Sequence, residues 1–472
     1  MKRWSVALIV AVLSCVPILL RHATNPALLQ DTDTKVLLQT IRERNAPMSW
    51  FTSDWPLENH FYRPLPTLTF EADNRLYKDD AAGYGMTNAL LCAVCVLLLA
   101  WFLREITDSV ALTAAGTALF GLWHWGNTGW LSWAVLHGAA ALAIADLAIH
   151  GVKGLNKATL RDFPKLFQKG SKLRRWVFAY AAAVFLCTEL NGIVGFESRM
   201  IAWLPGRTAS VMTVFCLTAL AAYARYERTS AKQTPAEPTA TDEPATKSSV
   251  QATTASRQSW LWAILAFVAS VLAFASYEQA VMLPTALFGV AVSFRLRRYQ
   301  VRWGWQVAFW SLIVAYWLVR HAYIPSGTSS YQAQQFRHGP GVYVALFDYL
   351  SPGMTALNNL RETWDGLMIL VTDRVYSTVW YAYANASALL AAGRHWVLAL
   401  TGFALSFFAY LPMAWLKPFD HYHYWPMALR SLYVVVLAWG VWELIVNALS
   451  PTPKQAPKRP TPAPGSKPTR SV

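Results

Sequence analysis

The sequence predicts an all-α polytopic membrane protein of about 12 transmembrane helices, and three observations predict it. Of 472 residues, 55% are hydrophobic and only 14% are charged, against about 25% charged in an ordinary soluble chain. Apolar runs near the ~20 residues that cross a bilayer recur along the whole length. Between these runs the lysines and arginines gather into a few segments, as the positive-inside rule expects.

The elements follow in order. The first apolar run, about 4–20, comes after Met1-Lys2-Arg3 and is followed by no A-x-A cleavage site, which predicts an uncleaved helix. A long acidic and aromatic segment, about 21–85, then faces the outside. Runs at about 86–103, 108–123, 130–149, 176–192 and 208–225 complete an N-terminal transmembrane half, 1–228. Residues 229–258 are rich in Pro, Thr, Ala and Ser with almost no large apolar side chain, which reads as a disordered cytoplasmic linker. Runs at about 259–276, 280–294, 304–321, 376–392, 396–416 and 426–448 form a C-terminal transmembrane half, 259–449. Residues 450–472 read as a disordered basic tail.

Charge sets the topology. The formal net charge is +15, but it sits in three blocks: Lys153 to Arg175, Arg295 to Arg302, and Lys454 to Arg470. That distribution excludes a nucleic-acid partner and assigns the blocks and both termini to the cytoplasm. The expected home is a plasma membrane of bacterial type, with the lipid bilayer as partner and the acidic loop extracytoplasmic. The 150–175 segment alternates lysines with Leu155, Leu160, Phe163, Leu166 and Phe167, as an interfacial amphipathic helix would. Asp146 is a mid-to-inner membrane charge. The late outer loop, 322–375, reads as one or two helices lying along the surface. The five cysteines, Cys15, Cys92, Cys95, Cys187 and Cys216, all fall in apolar runs. Cys92-x-x-Cys95 lacks a second Cys pair or nearby His, so it predicts a buried helix face and no disulfide.

Chemistry is expected at the outer face. Asp31 and Asp33 flank one Thr about ten residues past the first helix. They suit a general base for an acceptor hydroxyl or a divalent-cation site; an N-cap for the following Lys-Val-Leu-Leu run explains Asp31 equally. The turn Phe61-Tyr62-Arg63-Pro64-Leu65-Pro66 fixes one cation among aromatics, with Glu58 and His60 just before it. Arg63 suits a phosphate, or a structural carboxylate. Glu278, in SYEQAVMLP, and Glu189, in CTELNG, stand at outer helix ends; Arg199 or Arg207 would be a structural partner for Glu189. Asp420-His421-Tyr422-His423-Tyr424 suits sugar contact, metal binding or an aromatic belt. Arg320 is an outward cation in need of an anion, for which a lipid phosphate or headgroup snorkelling suffices. No nucleotide-binding loop or H-E-x-x-H motif is present.

These residues fall in a recognisable order. The run ENHFYRPLPTLTFEADNRLYKDDAAGYGMTNALLC resembles the outer loop of GT-C superfamily membrane glycosyltransferases. Within these it is similar to the protein O-mannosyltransferase-like branch that includes the transmembrane and tetratricopeptide-containing enzymes. The resemblance is carried by Asp31/Asp33, by Tyr62-Arg63-Pro64-Leu65, and by Gly83-Tyr84 with Asn88. Weaker likenesses follow at Ala202-Trp203 with Gly206-Arg207, at SYEQAVMLP, and at DHYHYWPMALR. The chain departs from the family in three places. Its acids are spaced D-x-D, it shows no tetratricopeptide array, and GLWHWGNTGWLSW lacks the Pro and Glu of a His-Pro-x-x-x-Glu motif.

The resemblance implies a GT-C-like fold and transfer of a sugar from a polyprenyl-phosphate donor to an acceptor hydroxyl on a protein or glycan. It implies Asp31 as first choice of base and Asp33 as second. Arg63, Arg207 and Arg320 would hold the donor phosphate. Glu58, His60, Glu278, His421, His423 and Tyr424 would contact sugar or acceptor. A divalent cation at Asp31 and Asp33 stays open. Two other classes remain: a polysaccharide polymerase or O-antigen-ligase-like enzyme working through Arg337, His338 and Arg361, and a lipid-linked glycan transporter with inverted repeats.

Overall fold

The computed structural model describes residues 2–125, 129–150, 171–191, 196–231, 248–337, 339, 341–350, 383 and 385–450. The amphipathic reading of 150–175, about half of the 229–258 linker and the basic tail lie largely outside the described residues, as do the first part of the run at 376–392, His338 and Arg361.

Among the described residues the chain is helical, with no strand. Six segments are long and apolar enough to cross a membrane: Ala81–Thr107, Gly129–His150, Leu204–Ser230, Glu278–Leu296, Gly393–Trp415 and Asp420–Leu449. Shorter apolar helices stand at Trp4–Leu20, Val110–Trp123 and Ser259–Phe274. The protein is therefore an all-α integral membrane protein.

The helices used below are α1 (Lys2–Leu20), α2 (Thr32–Arg44), α3 (Pro64–Tyr77), α4 (Ala81–Thr107), α5 (Val110–Trp123), α6 (Gly129–His150), α7 (Lys172–Asn191), α8 (Arg207–Ala231), α9 (Ser248–Phe274), α10 (Leu283–Leu296), α11 (Gly304–Tyr323), α12 (Ser330–Gln335), α13 (Gly341–Leu350), α14 (Trp396–Tyr410) and α15 (Tyr424–Leu449). Two differ from the sequence reading for clear reasons. α9 begins at Ser248, inside the stretch read as linker, because an existing helix extends through Ala, Ser and Gln without a new nucleus. α4 begins at Ala81, where Asp80 caps the Ala82 amide at 3.0 Å.

The bundle is centred on α8, of whose span 83% is buried, against 17% for α6 at the periphery. α15 packs on α5, α7, α8 and α14, and α9 runs along α8. Two buried carboxylates in the bundle are paired. Glu189 meets Arg430 through two hydrogen bonds, at 2.8 and 2.9 Å, where the sequence suggested Arg199 or Arg207. Asp146 takes Lys172 Nζ and Trp176 Nε1, each at 2.7 Å. The five cysteines are buried and free.

The segment 21–80 folds onto a small separate core rather than a loop. Leu28, Leu37, Leu38, Ile41, Trp50, Trp55, Phe70, Ala81, Tyr84 and Leu204 form it. Apolar residues at spacings of three and four on α2 (Leu37, Leu38, Ile41) face inward, and Asn45 ends the helix in a left-handed cap. α3 starts where Pro64 and Pro66 preset helical φ without losing a needed amide. The Leu65 amide bonds the Ala275 carbonyl at 3.1 Å, tying α3 to the end of α9.

Candidate functional site

Where this small core meets the bundle there is a cavity of about 290 Å³. Asp31, Asp33, Arg63 and His421, all predicted from sequence, line it together with Arg199, Trp203, Tyr277 and Tyr331.

Each side chain has a local cause. Asp31 is the N-cap of α2, accepting the Thr34 amide at 3.4 Å, so the capping explanation of this residue is realised. It also accepts Trp203 Nε1 at 3.2 Å. Asp33 sits in the first turn of α2, half-buried, and no hydrogen-bond donor approaches it among the described residues. Burial raises its pKa first, the neighbouring Asp31 charge raises it further, and Arg199 pulls it back.

Arg199 and Trp203 come from the 197–206 turn. Gly206 makes this turn possible, because a Cβ there would collide with the Arg199 carbonyl. The Arg199 guanidinium lies 5.2 Å from the centre of the Trp203 ring and makes no ion pair among the described residues. Trp203 in turn packs against the buried His421 ring at 5.2 Å.

Arg63 is fixed from several sides. Its Nε and Nη2 donate to the same Glu278 oxygen at 2.9 and 2.7 Å, which leaves Glu278 Oε1 buried without a donor. The guanidinium also lies over Phe61, Tyr277 and Trp55, at 4.0, 4.4 and 5.3 Å from the ring centres. The turn before it is held by Asp54, which accepts the His60 and Phe61 amides at 3.0 and 2.9 Å. Those contacts let Glu58 and His60 adopt left-handed backbone, at φ 51° and 61°. Tyr331, on α12, has its hydroxyl pKa raised, by burial and then by Asp33, with Arg63 opposing.

Other residues predicted for this site lie elsewhere. Arg207 is fully buried away from the cavity. It pairs with Asp73 at 2.6 Å and donates to Asn88 Oδ1 at 2.7 Å and the Tyr84 carbonyl at 3.1 Å, so its donors are spent inside the fold. Arg320 donates to the His60 carbonyl at 3.1 Å and supports the turn from behind. Glu58 is exposed, and His60 reaches the Gly327 carbonyl at 3.3 Å. His423 stacks on Tyr410 and Tyr349. The Tyr424 hydroxyl bonds His124 Nε2 at 2.9 Å, within the bundle. The Arg337 amide bonds the Trp415 carbonyl at 2.8 Å, which joins 335–337 to 415–417.

Arg199, Tyr277 and Tyr331 were not singled out for this site from sequence. Arg199 carried a signal nonetheless, as an arginine outside the three basic blocks, the same anomaly that marked Arg320. A divalent cation does not fit the residues present. Among the described residues no three His, Cys, Asp or Glu side chains converge, Asp31 is engaged by two N–H donors, and Arg199 already acts on Asp33.

What remains is a cavity with one poised carboxylate, two cations and aromatic walls. It can take a proton from a hydroxyl and hold an anion beside it. No family model, no curated protein and no solved structure matches this chain.

Proposed function

We propose that this cavity is the transfer site of a membrane glycosyltransferase that moves a sugar from a polyprenyl-phosphate donor to an acceptor hydroxyl. The observation that carries the reading is the convergence of Asp33, Arg63 and Arg199 on one aromatic-lined space.

In this reading Asp33 is the base. Its raised pKa gives it more proton affinity than an ordinary aspartate, and general-base catalysis of this kind contributes about 10²–10⁴-fold. Asp31, which accepts two N–H donors, orients Trp203 and raises the basicity of Asp33. The acceptor oxygen loses its proton to Asp33 and bonds to the sugar C1, while the C1–O bond to the phosphate breaks. The electron pair leaves on the polyprenyl phosphate, whose second negative charge develops against Arg63 and Arg199; preorganised cations are the largest expected source of rate here. Trp203, Tyr277 and Phe61 offer faces to the sugar ring. A small apolar cleft of about 150 Å³ beside Tyr62, between Phe274 and Tyr316, supports entry of the prenyl chain.

We further read the bundle as about 12 spans with both termini cytoplasmic and the cavity extracytoplasmic, in a bacterial plasma membrane. The test is transfer in isolated native membranes from a radiolabelled polyprenyl-phosphate sugar to endogenous acceptors. Wild type is expected to label protein or glycan. Asp33→Asn is expected to abolish labelling while its melting stays unchanged. Full labelling by Asp33→Asn, or no transfer from any polyprenyl-phosphate hexose, would sink the reading.

A further inference from the structure

A second cavity, of about 710 Å³, lies far from this site. It is a groove between the N-terminal half of α1 and the C-terminal half of α4, whereas the carboxylate cavity follows the other end of α1. Ala7 and Ala11 form a buried floor, with Leu8, Leu97, Ala100 and Trp101 as apolar walls and Thr113 of α5 behind.

One end of the groove is cationic. Arg104 is exposed there, 5.0 Å from the centre of the Trp4 ring. The two carboxylates nearest it in sequence are already committed. Glu105 pairs with Arg225 at 3.0 Å and Asp108 with Arg228. The guanidinium of Arg104 therefore has an aromatic ring for company and makes no ion pair among the described residues.

An exposed arginine at the mouth of an apolar groove on a membrane-spanning helix calls for an anion with a hydrocarbon tail. We propose that this groove holds an anionic phospholipid, its phosphate on Arg104 and one acyl chain along Ala7, Ala11, Leu97 and Ala100. Arginine meets phosphate oxygens in a two-pronged geometry. Trp4 stands near the start of the apolar helix α1, a position that suits the interfacial depth at which indole rings collect. The small side chains Ala7, Ala11 and Ala100 leave the width a chain requires, and the unpaired charge selects the headgroup. This proposal does not depend on the transfer reaction.

The experiment uses the full chain, reconstituted in bilayers of equal phosphatidylglycerol and phosphatidylcholine. The protein is re-extracted in mild detergent and its retained lipid is measured by mass spectrometry. Wild type is expected to retain phosphatidylglycerol about fivefold over the bulk ratio, the preference one surface cation supplies. Arg104→Gln is expected to return the ratio to that of the bulk, and Arg104→Lys to keep part of the preference. Ala100→Phe, which narrows the groove and leaves the cation, is expected to lower retention of both lipids. Melting in phosphatidylcholine alone checks that each variant folds. Undiminished enrichment in Arg104→Gln overturns the proposal. So does displacement of the lipid by free glycerol phosphate, which would show a bare phosphate site with no role for the groove.

Discussion

Arg207 and Arg63 are both arginines at the junction of the small N-terminal core and the bundle, yet they are satisfied in opposite ways. Arg207 is sealed, with Asp73, Asn88, two backbone carbonyls and the Phe70 ring accounting for its donors and its face. Arg63 also lies against aromatic rings, but it gives both of its side-chain hydrogen bonds to one oxygen of Glu278 and lies on a cavity wall. A cation whose partners are complete holds a fold together. A cation with capacity left over, facing open space, is available to a ligand. The difference separates structural from functional charge where residue type alone does not.

The comparison breaks most visibly in stability. Arg207→Met strands the Asp73 carboxylate in the interior, and losing one partner of a buried pair costs about 3–5 kcal/mol. We expect a large fall in thermal melting of the reconstituted protein. Arg63→Met also takes the partner from Glu278, but that pair is less deeply buried, with side chains 11% and 24% exposed, so it is expected to melt less far below wild type than Arg207→Met and to lose transfer. If the two variants melt alike, the distinction between sealed and open arginines fails. The next largest effect is on turnover alone. Asp33→Asn is expected to reduce transfer by about 10²–10⁴-fold, whereas Asp31→Asn keeps a cap-competent side chain at the helix start and should cost much less. Equal losses would return the base to Asp31.

How much of this was legible in the sequence follows the same division. The long helices were, because apolar runs of spanning length state their own identity; α4, α8 and α15 lie where those runs fall. The outer segment was read as a loop because α2 and α3 are short and half-polar, and only packing on Trp50, Trp55 and Tyr84 stabilises them. Asp31, Asp33, Arg63 and His421 were picked out by residue type and turn chemistry. The grouping of Arg207 with Arg63 was not correctable from sequence, because each partner is set by the tertiary fold. Arg63 reaches Glu278 across 215 residues, and no local pattern announces that Asp73 faces Arg207. The resemblance aligned both arginines with one role, and their surroundings divide them.

A smaller effect tests the link between Trp203 and the carboxylates. Trp203→Phe keeps a ring against His421 but removes the N–H that reaches Asp31. One such hydrogen bond is worth about 1 kcal/mol, so transfer is expected to fall several-fold, mainly in kcat. A change confined to KM would assign Trp203 to substrate contact instead.

The smallest effect is the most specific, because it reads the charges around Asp33 directly. Transfer requires the ionised base, so activity is lost as pH falls through the pKa of Asp33. That pKa lies above the ordinary aspartate value of 3.8, and the acid limb of kcat/KM is expected above it. Two neutralising substitutions then act in opposite senses. Asp31→Asn removes a repulsive charge that raises the pKa, so the acid limb moves to lower pH. Arg199→Gln removes an attractive charge that lowers it, so the limb moves to higher pH. A base elsewhere in the protein would leave the limb in place in both variants, and a purely structural role for Arg199 would change the height of the profile without moving its midpoint.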